Sequence, residues 1–398
     1  LEAFRTLKKK FRRYNISKKI TIIDKNNYFT FIPLLHEVAT GAVDPSHTTL
    51  PVRELTYKSR HKFRQAEVKN IRPEAKKVET SSGVFEYERC IVALGSVTNF
   101  FGVEGAKEYT HHVRTLREAL QLKNSIIKQL ESQANKIKVN IIGGGYTGVE
   151  IAAEFAQMKK DDFKKLYPET DIEINIIEAS DSIMGKMNEE IQNKIRARLE
   201  KFGVNIKTQV SANKVTEEKV ILSNQQELKN DVTVWSAGFR TNAKKFLKED
   251  YLKKDRIEVN NNLQVVKDNS IYAIGDIALI TPPEGGNPYP QLGEASHKEG
   301  EYVAGKITTE IRNKEIEPFS FKSKGRLMPV GEWYGVAVIP WLNDFTFTGK
   351  FAWWLRRTAY VLFLPGLIRK IRIVFEWTLH TFGFRNLTEI AVKDYKEK

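Results

Sequence analysis

Six consecutive residues carry the clearest chemistry in this 398-residue chain: Gly143, Gly144, Gly145, Tyr146, Thr147 and Gly148, a G-x-G-x-x-G. The apolar run Val139–Ile142 reads as the strand before it, and Val149–Ala156 as the helix it opens. In that setting Gly143 permits the tight turn, Gly145 lets backbone N–H groups approach a pyrophosphate, and Gly148 lets helix and strand pack closely. The positive end of the helix dipole then faces the phosphates. A second apolar strand, Ile172 to Ile177, follows once a 159–170 loop is allowed for, and it ends at Glu178. A carboxylate there can bond a ribose 2′-hydroxyl and would repel a 2′-phosphate, which favours NADH over NADPH. Taken alone, the glycines would also suit a structural turn.

Three further stretches suit a second nucleotide. Lys19–Asp24 reads as a buried strand ending in an acid, and before it Phe4, Leu7 and Phe11 recur at helical spacing. Helix plus strand make the second half of a dinucleotide-binding βαβ unit, in which Asp24 accepts hydrogen bonds from a ribose diol. The first half, a strand with its own glycine loop, would precede Leu1. The chain therefore reads as N-terminally truncated, with weakened binding of that nucleotide expected. Arg89–Gly95 and Ser270–Asp276 are strands running into glycine turns. Gly95, Gly275 and Asp276 there could meet a flavin's ribityl chain or pyrophosphate, the alternative for Asp276 being a surface turn.

Composition sets the outer limits. With 41% hydrophobic and 28% charged residues the chain is globular and long enough for two or three domains. The lone cysteine, Cys90, excludes an intrachain redox dithiol and a four-cysteine zinc site, and it suits a reducing compartment. His111 and His112 have no ligand pattern around them, so no metal is expected. The net charge of +15 suits a polyanionic partner. No helix-turn-helix, finger or RNA-binding sheet motif occurs, so nucleic acid is set aside. No apolar run approaches the ~20 residues that span a bilayer. The longest, Thr358–Ile368, is broken by Pro365 and Gly366.

The C-terminal stretch is the second informative region. Between Thr348 and Phe375 lie the cations Lys350, Arg356, Arg357, Arg369, Lys370 and Arg372, six aromatic residues and no acid. After the Pro365–Gly366 break, Leu367, Ile368, Ile371, Val374, Phe375, Thr378 and Leu379 share one helical face, with Arg369, Arg372 and Glu376 opposite. A basic, aromatic-rich amphipathic helix is an interfacial anchor for an anionic lipid surface. The alternatives are packing on the protein's own core or a contact in a homodimer.

Together Val139–Glu154, Thr233–Gly238 and Tyr272–Asp276 resemble the flavoprotein reductases with two dinucleotide domains. Asn27–Gly41, Leu94–Gly102 and Arg114–Ala119 are similar to segments of one branch, the type II NADH:quinone oxidoreductases. That resemblance covers nearly the whole chain. It implies non-covalent FAD, NADH as donor, a quinone as acceptor, no proton pumping, and a peripheral position on the cytoplasmic face of the cell membrane or the matrix face of an organelle. It implies that Glu150 orients the nicotinamide carboxamide, the alternative being a first-turn carboxylate stabilised by the helix dipole. It also implies that Pro33, Leu34 and Leu35 line the flavin, the alternative being a buried apolar loop, and that Ala237 and Gly238 bind cofactor. With no second cysteine, electrons must pass directly through the flavin.

The sequence departs from that family at Gly293–Lys298, where two glutamines expected near the quinone are replaced by Glu294 and Lys298. These could pair at i, i+4, or Lys298 could donate to a quinone oxygen while His297 relays a proton. The expected fold is α/β: two tandem Rossmann-like dinucleotide-binding domains and a C-terminal amphipathic membrane-binding region. The FAD domain is assigned to 1–110 and 235–320, the NADH domain to 111–234, and the membrane-anchoring region to 321–398. The rival readings are an NADH-dependent reductase of a small redox protein and a non-enzymatic, membrane-associated NADH-binding regulator.

Overall fold

The computed structural model describes residues 1–132, 135–380 and 383–390. In chain order the principal elements begin with α1 (Glu2–Arg13), β1 (Thr21–Asp24), α2 (Leu35–Ala39), β2 (Lys62–Gln65) and β3 (Cys90–Val92). Next come α3 (Leu116–Glu131), β4 (Lys136–Ile142), α4 (Tyr146–Met158), β5 (Asp171–Ile177), α5 (Glu189–Lys201), β6 (Val204–Lys207) and β7 (Val232–Trp235). They are followed by β8 (Asp268–Ala273), α6 (Gly293–Ile311), β9 (Arg326–Pro329), β10 (Gly335–Ile339), β11 (Phe345–Gly349), α7 (Lys350–Phe363) and α8 (Leu367–His380).

The chain divides into two compact units. The first comprises Leu1–Phe29, Leu50–Val97 and Arg240–Ser323; the second comprises Thr30–Thr49, Thr98–Phe239 and Lys324–Lys398. The breaks fall near 97 and 239, where the sequence reading put boundaries at 110 and 234. Two segments group differently from the sequence reading: 30–49 and the C-terminal stretch both cluster with the nucleotide-loop unit.

In the first unit, α1 buries Phe4, Leu7 and Phe11 and turns its lysines and arginines outward, with Glu2 at its N-terminal end and Arg12 and Arg13 at its C-terminal end complementing the dipole. Leu7 and Phe11 join Val303, Ala304 and Ile307 of α6 in a core that also holds Ile271, Tyr272 and Ala273 of β8. β1 pairs parallel with β2, and β8 pairs parallel with β3. Cys90 packs against that core, and burial pushes its thiol up to about 12, so it is an inert structural group.

The second unit holds a parallel sheet in the order β6-β5-β4-β7. Its strands read as near-continuous apolar runs because both faces are covered; Val139, Ile141, Ile174 and Ile176 are fully buried. Asn140, Asn175 and Asn205 stand in register on three neighbouring strands. Each is satisfied sideways: Asn205 donates to Asn175 at 3.0 Å and Asn175 to Asn140 at 3.1 Å, while Asn140 donates to the Lys229 carbonyl at 2.9 Å. Thr115 and Glu118 form a reciprocal capping box that starts α3.

The sequence expectation of a loop over 159–170 is corrected. A π-turn, Lys159–Phe163, extends α4 and leads into one more helical turn, Lys164–Leu166. No glycine or proline interrupts it, and Asp162 and Phe163 are buried, so tertiary packing keeps the segment helical. At the other end of the chain β9, β10 and β11 form an antiparallel sheet, and α7 and α8 are separated at Leu364–Gly366, where the proline and glycine stop the first helix.

Candidate active site

The glycine loop joins β4 to α4. Gly143 has φ +108°, and its amide donates to the Ile177 carbonyl at 2.8 Å. A Cβ on Gly148 would collide with the Gly143 carbonyl oxygen, so helix and loop meet there at backbone contact. Gly145 is the N-cap of α4 without a side-chain bond, which leaves the first-turn N–H groups for solvent or an anion. Glu178, one residue past β5, accepts from the Gly144 N–H at 2.6 Å and the Ser180 N–H at 2.8 Å. Ala237 and Gly238 follow β7, and the Ala237 backbone lies against Gly143. The structure thus gathers Gly143, Gly145, Gly148, Glu178 and Ala237 around one strand-to-helix turn, with Gly238 next in the chain.

Glu150, in the first turns of α4, meets charges from two distant parts of the chain. His36 Nδ1 of α2 lies 3.8 Å from Glu150 Oε2, and Arg356 Nη2 of α7 lies 3.9 Å from Oε1. Arg356 also donates to Glu37 Oε1 at 3.2 Å and lies 3.1 Å from His36 Nε2. Trp377 of α8 donates to Glu37 Oε2 at 2.7 Å, and the Tyr360 ring lies 4.3 Å from the Arg356 guanidinium. Burial pushes the Glu150 carboxyl above the ordinary range, restrained by His36 and Arg356. Burial would also raise Glu37, but Arg356, His36 and Arg357 overrule it and hold that carboxyl at about 2. Arg356 and its neighbours thus override burial at Glu37 and only restrain it at Glu150, so one cluster holds two carboxyls shifted in opposite directions.

That cluster corrects the reading of the basic tail. Arg356 is only 1% exposed, and Arg357 stacks between the Trp353 ring at 3.8 Å and the Trp377 ring at 4.5 Å. Neither is a surface cation; both neutralise buried charge. Arg369 donates to the Thr49 carbonyl at 2.6 Å and the half-buried Lys370 to the Leu362 carbonyl at 2.9 Å, which leaves Lys350 and Arg372 as the exposed cations of these helices. Leu34 and Leu35 are buried within this unit, whereas Pro33 is exposed.

The first unit presents its own set. Asp24 stands at the C-terminal end of β1; burial raises its carboxyl, opposed by the Asn26 N–H. Gly95 and Gly275 both have positive φ, +68° and +75°, beyond the ends of the paired strands β3 and β8. Asp276 accepts from Ser96, and Glu299 of α6 accepts from the Gly275 N–H at 2.6 Å. Burial pushes Glu299 up to about 7. Acids and open glycine turns at the carboxyl ends of parallel strands are where dinucleotides bind. The donor set fits the diol and phosphate chain of FAD.

Of the two possibilities for Glu294 and Lys298, the i, i+4 pair is not made. Glu294 accepts from Ser323 at 2.9 Å, and Lys298 turns to Glu301 at 2.7 Å. Glu294 is engaged by Ser323 from a separate segment, and Lys298 pairs at i, i+3 instead. His297 lies 3.8 Å from Glu2 and 3.5 Å from Glu301. These three bring one ligand atom each within 4.8 Å of one another, but the Lys298 ammonium already occupies Glu301.

Two nucleotide-binding units of this kind, with acids at strand ends and a buried carboxyl cluster on the second, define a flavoprotein oxidoreductase that uses a pyridine nucleotide. The chain belongs to the pyridine nucleotide-disulphide oxidoreductase family, which it matches over residues 1–300. A probable NADH dehydrogenase of Dictyostelium discoideum is 26% identical, over 91% of this chain and 84% of that protein. A type II NADH:quinone oxidoreductase of Staphylococcus aureus is 28% identical over 81% and 83%. The structure of NDH2 from Plasmodium falciparum in complex with NADH superposes with a TM-score of 0.86 at 20% identity, covering 93% of this chain and 94% of that one.

Three residues of this site do not stand out in the sequence. His36 and Glu37 sit inside the stretch that carries the family resemblance but were not singled out. Arg356 reads as one of the surface cations of the basic tail.

Proposed function

We propose that this protein is a peripheral membrane flavoprotein that oxidises NADH and reduces a quinone to the quinol without moving protons across the membrane. The observation that carries the reading is the glycine loop with Glu178 at its side and the buried Glu150–His36–Arg356 cluster on the helix it opens. Bound FAD supplies the redox chemistry, taking a hydride from NADH and passing two electrons to the quinone. The N-terminus of α4 holds the NADH pyrophosphate, and Glu178 holds the adenosine ribose. Glu150 orients the nicotinamide carboxamide, its carboxyl kept in place by His36 and Arg356. Asp24, Asp276, Gly95 and Gly275 hold the flavin's ribose and phosphates. Glu294, His297 and Lys298 stand as the quinone-site candidates. The overall reaction takes one proton from solvent for each NADH oxidised.

No helix among the described residues is long and apolar enough to cross a membrane. α8 instead lays one face outward: Leu367 is 73% exposed, Ile368 66%, Ile371 61% and Phe375 64%, while Ile373 and Trp377 on the other face are buried. Exposed Arg372 lies on the same helix, and exposed Lys350 opens α7. An apolar stripe edged by cations fits an anionic bilayer surface, on the side from which NADH is supplied. The test is steady-state NADH oxidation with a short-chain ubiquinone analogue. Glu150→Gln, which removes a charge-assisted hydrogen bond worth ~1.5–3 kcal/mol, lowers kcat/KM for NADH about 10- to 100-fold. Unchanged kcat/KM would remove Glu150 from the mechanism.

A further inference from the structure

The stretch 383–390 runs along the nucleotide-loop unit and is fastened to it at several points. Arg385 Nη1 donates to Glu154 Oε2 of α4 at 2.7 Å and to Thr40 Oγ1, just past α2, at 3.0 Å. Its Nε lies 3.4 Å from Asp162 Oδ2 in the π-turn, and its backbone N–H donates to Asp162 Oδ1 at 3.0 Å. The next residue bonds backbone to backbone, Asn386 N–H to the Gly41 carbonyl at 3.0 Å, and it passes so close to Gly41 that a Cβ there would strike the Asn386 carbonyl. Further on, the Asn124 amide clasps the backbone of Ile390, donating at 2.6 Å and accepting at 3.2 Å.

The π-turn makes the Arg385 contact feasible. An unbroken α-helix, at about 100° per residue, would turn Asp162 roughly 80° away from Glu154. The i→i+5 turn carries an extra residue and swings Asp162 back, so that one guanidinium serves both acids. Such a buried charge cluster is a poor way to gain stability, since well-packed apolar residues do as well or better. It is a good way to fix geometry, because the planar fork of arginine accepts few arrangements. What it fixes is α4, the helix that starts at the glycine loop and carries Glu150 one turn before Glu154.

We propose that Arg385 is a positioning residue for NADH: by pinning Glu154 and Asp162 it sets the helix that presents the dinucleotide loop and Glu150. It touches no reacting atom. The proposal rests on the reading of that loop as the NADH site, so the experiment carries a separate control for the loop. NADH binding is titrated by fluorescence in the FAD-loaded protein, and KM and kcat are measured with a short-chain quinone. Arg385→Met weakens NADH binding and raises KM roughly tenfold while kcat at saturating NADH stays within about twofold. Arg385→Lys, which keeps the charge and one hydrogen bond, restores most of the loss. Glu154→Gln, which loosens the clamp while keeping Arg385 and Asp162 paired, weakens binding in the same direction by a smaller factor and supplies the answer should Arg385→Met fail to fold. Gly148→Ala abolishes NADH binding if the loop is the site. With that control behaving, wild-type NADH affinity in folded Arg385→Met and in Glu154→Gln, or a fall in kcat with KM unchanged, would overturn the proposal. Normal NADH binding by Gly148→Ala would instead overturn the reading of the loop.

Discussion

Replacing Arg356 by methionine exposes how much the buried cluster depends on one guanidinium. Arg356 and Glu37 are 1% and 4% exposed, and the variant leaves the Glu37 carboxylate with Trp377 and His36 but without its strongest cation. Two routes give the magnitude. Breaking a buried pair by removing one partner costs ~3–5 kcal/mol. In the same direction, Glu37 falls from 4.5 to about 2 against the burial that would raise it, on the order of 3 kcal/mol at ~1.4 kcal/mol per unit, with Arg356 the leading cause of the fall. The sign follows from linkage: a carboxyl depressed in the native state stabilises above its unfolded value of 4.5, and that stabilisation fades as pH falls from there towards 2. Arg356→Met is therefore about 3 kcal/mol less stable than wild type at pH 7, a Tm loss of about 6–12 °C for a unit of this size. The gap narrows towards pH 4, where Glu37 of the variant takes up a proton. Urea denaturation at a series of pH values measures both quantities, and Glu37→Gln combined with Arg356→Met recovers a large part of the loss. A variant as stable as wild type at pH 7, or an equal loss at pH 4 and pH 7, would refute the assignment of that energy to the ion pair.

Glu299 titrates with the opposite sign: raised to about 7 by burial, it favours the fold below 4.5 and loses that contribution as pH rises through 7. Glu299→Gln, which keeps the acceptor for the Gly275 N–H, is thus more stable than wild type at pH 8.5 by up to about 3 kcal/mol, with the difference vanishing near pH 4 in thermal melts. Glu178→Gln removes the charge that repels a 2′-phosphate, so the ratio of kcat/KM for NADH over NADPH falls by about tenfold or more in parallel assays. Leu367→Ser with Phe375→Ser removes two exposed apolar side chains, each worth ~1.5–3 kcal/mol when buried. Partitioning into vesicles containing phosphatidylserine drops at least about 100-fold in a sedimentation assay; unchanged partitioning, or concentration-dependent dimerisation lost in the variant, would assign the face to a second copy instead.

The sequence was legible where one local pattern has one physical solution. The glycine loop, its two strands and Glu178 lie within about forty residues, and each step is forced by turn geometry or by burial on both sheet faces. The outward apolar stripe of α8 was readable for the same reason, since periodicity survives without tertiary context. Arg356 shows where local pattern stops being informative. Its neighbours make a basic surface helix look natural, but Glu37 is 319 residues away and nothing local marks the two as partners. The π-turn is hidden because charged residues at 159–162 resemble a loop, and only the fold brings Asp162 to face an arginine from 385. At Glu294 and Lys298 the spacing was right for a pair, and tertiary partners at Ser323 and Glu301 took precedence.

The most direct measurement is the visible spectrum of the FAD-loaded protein under anaerobic conditions. NADH bleaches the flavin band, and a stoichiometric amount of a short-chain quinone restores it within the turnover time of the enzyme. A protein that stays colourless after incubation with FAD, or whose bleached band recovers with air but not with quinone, would contradict the account.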